Sequence, residues 1–203
     1  MTSIKLAILI GGVGKRVGIE KPELRICGKK LLEIAVAKFS EFDPIFVCRD
    51  ETQAERYRRE FKAKFVCDIF RDFGAIAGIH SAIKYNGNTV VTAVDMPFVK
   101  KKVVEFLFEK GIELGCDALI PKHDFAEPLL AFYSHRALEE IERSIQKGER
   151  RILVPISRLK TIFFPATELR KFDKNLISFF NINTPENVAR AEELCSEIFA
   201  EES

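Results

Sequence analysis

Leu9-Ile10-Gly11-Gly12-Val13-Gly14-Lys15-Arg16-Val17-Gly18-Ile19-Glu20-Lys21-Pro22 is the stretch that decides the fold. It continues the apolar run IKLAILI at residues 4–10, which has the length of a buried strand and then breaks into glycine. Glycines tolerate positive φ and let backbone N–H groups approach a ligand closely. A run of such N–H groups makes a concavity for an anion. Lys15, Arg16 and Lys21 add the positive charge that a triphosphate demands. The spacing does not fit G-x-x-x-x-G-K-S/T, and the third glycine stands at 18 where a dinucleotide fingerprint needs it at 17. A tight turn with solvated lysines is the bland alternative; the position straight after a buried strand favours phosphate.

Outward from this loop, apolar runs of strand length alternate with stretches of helical period. Strands are expected at 4–10, 44–48, 64–67, 89–94, 118–120, 128–133, 161–164 and 178–182. Helices are expected at 31–39, 52–61, 75–84, 100–110, 135–146 and from Pro185 onward, the last with Thr184 as N-cap. The order predicts an α/β protein: a Rossmann-like, mainly parallel sheet with helices on both faces, in a single domain spanning 1–203. Ligands of such sheets bind beyond the carboxyl ends of the strands. The segment 11–21, Asp68 and Asp95 all fall there.

Asp95 closes the β-branched run TVVTAV of 89–94 and is followed by Met96-Pro97. An acid at a sheet edge offers hard oxygen ligands to Mg²⁺; the alternative is a cap for a helix opening near Pro97. Asp68 stands at the end of a strand, as ligand contact or turn residue. Gly74 and Gly78 mark a close approach, of a ligand or of a helix on the sheet. His80 and His123 lack a metal-ligand partner at useful spacing. The net charge of +2, from 32 basic and 30 acidic residues, predicts neither nucleic-acid nor membrane binding. The apolar runs fall short of the roughly 20 residues of a membrane span, and residues 4–10 lack the features of a signal peptide. The five cysteines (27, 48, 67, 116 and 195) are scattered and odd in number, and are expected as reduced thiols rather than a zinc site or disulfide frame.

Together these residues resemble the glycosyltransferase-A-like nucleotidyltransferases, which carry L-x-G-G-x-x-x-R-x-G-x-x-K-P after the first strand and D-x-P after a later one. Within that group, of the nucleotide-diphospho-sugar transferase fold, the chain is most similar to the molybdenum cofactor guanylyltransferases. Gly74-Ala75-Ile76-Ala77-Gly78-Ile79 resembles that family's G-P-L-A-G turn, and Glu127-Pro128-Leu129 its x-P-L strand entry. Gly148-Glu149-Arg150-Arg151 resembles its G-x-x-R segment, and Asn181-Ile182-Asn183-Thr184-Pro185-Glu186 its N-I/V-N-T-P-E signature.

The resemblance implies transfer of GMP from GTP to molybdopterin carrying molybdenum, with Mg²⁺ as cofactor, by a cytoplasmic monomer. It implies nucleotide contacts at Leu9, Ile10, Gly11, Gly12, Gly14, Lys21, Asp68 and Asp95. Lys21, Arg16 and Asp95 would be catalytic, with Asp95 on the metal, and Arg150, Arg151, Asn181 and Asn183 would face the acceptor. The chain departs from the family at Ile10 (usually Ala), Val17 (Met), Cys48 (often Asn) and Ala75 (Pro). Cytidylyl transfer to molybdopterin, guanylyl transfer to adenosylcobinamide phosphate, and a non-catalytic nucleotide-binding regulator are the competing readings.

Overall fold

The computed structural model describes the backbone of residues 3–14 and 19–201, with side chains at 3–12 and 20–195. Strand β1 (Leu6–Leu9) leads to a short ladder of β2 (Val13–Gly14) with β3 (Ile19–Glu20), then to a hairpin of β4 (Arg25–Ile26) and β5 (Lys29–Lys30). There follow α1 (Leu31–Lys38), β6 (Ile45–Cys48), α2 (Glu51–Glu60), β7 (Lys64–Cys67), α3 (Ala75–Asn86) and β8 (Thr89–Ala93). The second half holds α4 (Lys101–Leu114), β9 (Ala118–Lys122), β10 (Leu130–Tyr133), α5 (Leu138–Gln146), α6 (Leu153–Ile156), β11 (Thr161–Pro165) and α7 (Pro185–Glu201).

Local chemistry sets the helix ends. Asp50 caps α2 by accepting the Gln53 N–H at 2.8 Å, and α4 stops at Gly115 in the left-handed region. Thr184 does cap the final helix: its hydroxyl accepts the Asn187 N–H at 3.3 Å, with Pro185 in the first turn.

Seven strands form one sheet in the order β11-β9-β10-β8-β1-β6-β7, and only β10 runs against its neighbours. Successive residues of a strand point to opposite faces, and here both faces are apolar. Leu6, Ile8 and Val90 enter one core with α1 and α4; Ala7 and Val91 enter the other with α3 and α5. The expected mainly parallel sheet with helices on both faces is thus present.

Two expectations fail. Residues 178–182 are not a strand. The Asp173 carboxylate accepts the amides of Ile177 and Ser178 at 3.0 and 2.7 Å and turns the chain into the short 3₁₀ helix Ile177–Phe179. The cysteines are not all reduced thiols: Cys27 and Cys195 form a disulfide across a separation of 168 residues. That separation hid the pairing. The β4–β5 turn, with Cys27 and Gly28 both at positive φ, meets α7, where Glu192 accepts the Cys27 N–H at 2.9 Å. Cys48, Cys67 and Cys116 are free.

Candidate active site

The chain passes from β1 to β6 and β7 on one side, then returns to place β8 on the other. The crevice beyond the carboxyl ends of β1 and β8 is therefore the topological switch point, where open α/β sheets bind ligands. The Val94 N–H donates to the Leu9 carbonyl at 3.0 Å and so holds the two exits together.

Lys21, Asp95 and Asn183 meet there. The Lys21 ammonium pairs with the Asp95 carboxylate and donates to Asn183 Oδ1 at 2.8 Å. Asp95 is buried, and its carbonyl accepts the Ile182 N–H at 2.9 Å. It caps no helix, since α4 begins beyond Lys100. The residues after Asn181 are thus tied to the site by backbone and side chain, although 162 positions separate Asn183 from Lys21.

Among the residues expected at the nucleotide, Ile10 is fully buried and its N–H donates to the Val47 carbonyl at 2.9 Å. Room, not positive φ, accounts for the first two glycines. A Cβ on Gly11 would lie 3.0 Å from the Arg49 nitrogen, and one on Gly12 3.3 Å from the Lys21 side chain. Gly14 pairs with Ile19 in the β2–β3 ladder, and Arg16 lies outside the described residues. Gly78 is the close helix–sheet approach: its Cβ would stand 2.9 Å from Leu9 Cδ1.

Asp68 follows β7 and has one buried carboxylate oxygen without a hydrogen-bond partner. Burial pushes its carboxyl up to about 7, against a hydrogen bond with Ser81 that pulls it down. A buried acceptor left unpaired at a ligand-binding edge is what a donor-rich base would satisfy.

On the opposite side stands Glu127, which the sequence motif marked only as a strand entry. Its Oε1 accepts the Leu129 N–H at 3.2 Å, and the Asn181 side chain bonds it as well. Burial raises its carboxyl, the Leu129 and Asn181 hydrogen bonds draw it back, and the charge of Asp95 adds to the rise. Arg49 was also missed, although it directly follows β6. It pairs with Glu20 at 2.5 Å and Asp50 at 2.9 Å beside Gly11. Arg150 and Arg151 are exposed, and Arg150 stacks over the Phe73 ring at 5.5 Å rather than joining Lys21 and Asp95. Buried His80 sits 3.3 Å from Glu142, and exposed His123 pairs with Asp124.

Beyond Pro97 a cleft of about 540 Å³ opens between Ile26, Ile34 and Phe98. Its described lining carries Lys29, Lys38, Lys100, Lys101 and Lys102 and no acid. Two of these cations are engaged: the Lys38 ammonium donates to the Pro97 carbonyl at 2.6 Å, and Lys101 pairs with Glu41 at 3.1 Å.

The MobA-like NTP transferase domain matches residues 6–161. The chain belongs to this family. This MobA-like transferase is 34% identical over 195 residues to a probable molybdenum cofactor guanylyltransferase of Methanosarcina mazei, covering 89% of this chain and 86% of that protein. It is 36% identical over 135 residues to the molybdenum cofactor guanylyltransferase of Desulfosudis oleivorans, covering 65% and 66%. Its fold matches the crystal structure of molybdopterin-guanine dinucleotide biosynthesis protein A from Archaeoglobus fulgidus, with a TM-score of 0.93 and 55% identity over 96% of this chain and 100% of that one. A 4-diphosphocytidyl-2C-methyl-D-erythritol synthase structure from Anaerococcus prevotii, at 16% identity and a TM-score of 0.65, shares the fold of the MobA-like transferase.

Proposed function

We propose that the chain transfers GMP from GTP to molybdopterin carrying molybdenum and releases pyrophosphate, in the cytoplasm and as a monomer. The observation that carries this reading is the meeting of Lys21, Asp95 and Asn183 at the switch point, in a chain whose relatives bear that activity in their names. Among the described residues, no helix is long and apolar enough to cross a membrane.

The donors suit Mg²⁺. The Lys21 ammonium already lies between two hard oxygens, of Asp95 and Asn183, so a cation is at home there. Asp95 would hold the ion, which supplies charge neutralisation at the phosphates.

In the reaction an oxygen of the acceptor's terminal phosphate attacks the α-phosphorus of GTP in line. The new P–O bond forms as the bond to the β-phosphate oxygen breaks, and pyrophosphate leaves with the electron pair. A phosphate monoester is largely ionised near neutral pH, so no side chain has to remove a proton. Positioning and charge carry the catalysis. Lys21 and Arg16 steady the departing pyrophosphate, and the backbone from Gly11 to Gly14 lies along it. Asp68 accepts the N–H groups of guanine, beside Leu9 and Ile10. Asn181, Asn183, Arg150 and Arg151 serve the acceptor. The test is pyrophosphate release with GTP, CTP, ATP and UTP, each with the molybdenum-loaded acceptor and Mg²⁺. Turnover confined to GTP is expected; CTP as the better donor overturns the guanylyl assignment.

A further inference from the structure

Asp95 has a second carboxylate, Glu127, near it. Strand β10 is antiparallel to β8, with Leu130 opposite Thr92 and Ala131 opposite Val91. Its start therefore lies at the end of β8. Beyond the paired residues both chains turn, at Val94–Asp95 after β8 and at Pro128–Leu129 before β10, and these turns bring Glu127 near enough for the charge of Asp95 to act on its carboxyl. The turn before β10 fixes it there. The Glu127 N–H donates to the Pro121 carbonyl at 3.0 Å, and the Glu127 carbonyl accepts the Leu130 N–H at 3.2 Å. Its side chain is held by the Leu129 amide and by Asn181, inside the segment that also binds Lys21 and the Asp95 backbone.

This arrangement is costly by itself. Two carboxylates close together, both withdrawn from water, repel each other. Among the described residues no lysine or arginine pairs with Glu127, and the single Lys21 ammonium is committed to Asp95 and Asn183. Once Lys21 turns to the phosphates, two neighbouring carboxylates are left with no paired cation among the described residues. A divalent cation with oxygen ligands balances them both.

We propose that Glu127 is a second carboxylate ligand of the divalent cation, which is held between the end of β8 and the start of β10. The inference rests on the metal-dependent transfer proposed above. It makes Glu127 a determinant of cation affinity, and not only a cap on the turn before β10.

Glu127→Gln separates the two roles, because the amide oxygen still accepts the Leu129 N–H while the charge is gone. Mn²⁺ serves as the probe, with bound ion counted by electron paramagnetic resonance in the presence of GTP and corrected for Mn²⁺ held by GTP alone. Wild type should bind one ion, Asp95→Asn should lose it, and Glu127→Gln should bind it at least about tenfold more weakly with an unchanged melting temperature. Glu127→Asp, which keeps the charge, should recover part of the affinity. If Glu127→Gln binds Mn²⁺ as wild type does, or if Gln and Asp variants bind equally, the inference is overturned while the proposed function stands. If the wild type holds no ion beyond the GTP control, the inference falls together with the metal dependence it rests on, while the transfer itself stands or falls by pyrophosphate release.

Discussion

Lys21 and Asp95, 74 positions apart in the chain, form an ion pair in which the lysine side chain is 22% exposed and the aspartate 7%. The acid is therefore the desolvated member, and the lysine can turn outward. Replacing Lys21 by alanine should weaken GTP binding at least about tenfold and GMP binding far less, since an ammonium at this place answers to the outer phosphates. Calorimetric titration with both nucleotides checks this. Equal losses for the two would place Lys21 away from the β- and γ-phosphates.

Asp95→Asn keeps the shape of the side chain and removes its charge. It should lower kcat by roughly 10²–10³, the range seen when one preorganised electrostatic contact is lost. The Ile182 amide still finds the backbone carbonyl of residue 95, so the melting temperature should change little. Turnover like that of wild type at ordinary Mg²⁺ would remove Asp95 from the chemistry.

Asp68 predicts a pH dependence. Its folded-state value is raised from the ordinary 3.8 to about 7. Between these values the folded chain keeps a proton that the unfolded chain has released, so stability falls as pH rises from about 4 to about 7 and is level above. Asp68→Asn should flatten that slope in melts at pH 5, 6, 7 and 8. GTP affinity should move the other way, rising through the same window as guanine donors select the carboxylate. A wild-type slope that survives in the Asn variant would assign the effect to another group.

A Cβ on Gly111 would sit 2.2 Å from Cδ1 of the buried Phe132 ring, so helix α4 lies flat on β10 at this point. Alanine gains about 1 kcal/mol over glycine in a helix interior, but overpacking a core costs about 1–3 kcal/mol or more. Gly111→Ala should therefore destabilise on balance, by about 2 kcal/mol in denaturant unfolding. At Gly78 the obstacle is the end of the Leu9 side chain, so Gly78→Ala should cost less stability and show mainly in nucleotide affinity. Neutral behaviour of Gly111→Ala would mean that α4 can lift off the sheet.

The Cys27–Cys195 bond spans 168 positions. Loop-closure entropy gives such a crosslink an upper value of about 5 kcal/mol. Reductant should lower the melting temperature, Cys27→Ser should lower it equally, and reductant should then add nothing to the variant. Identical melts with and without reductant would show that the bond does not form in solution.

How much of this was legible beforehand follows from distance along the chain. The glycine loop, the acids at 68 and 95 and the Thr184 cap were readable because each is written in a few adjacent residues. The order of β8, β10 and β9 was not, since nothing local tells β10 that it runs backwards, and with that reversal went the approach of Glu127 to Asp95. The disulfide was invisible for the same reason. The strand expected at 178–182 failed differently: its apolar residues satisfied the period, but Asp173, five positions before Ser178, captured the backbone amides first.

The reversed strand also sorts the molecule into two blocks of text. The exits of β1, β6, β7 and β8, which carry the residues expected at the nucleotide, are all written before residue 96, whereas Glu127 and Asn181 to Asn183 are written after it. The two blocks touch along the seam where β8 meets β10, and the loop entering β10 takes no part in the crossovers that precede it. That loop, with Glu127 in it, can therefore be lengthened or exchanged without disturbing the crossovers that build the front half of the sheet, and the proposed cation site would change with it while the earlier strand exits stayed as they are.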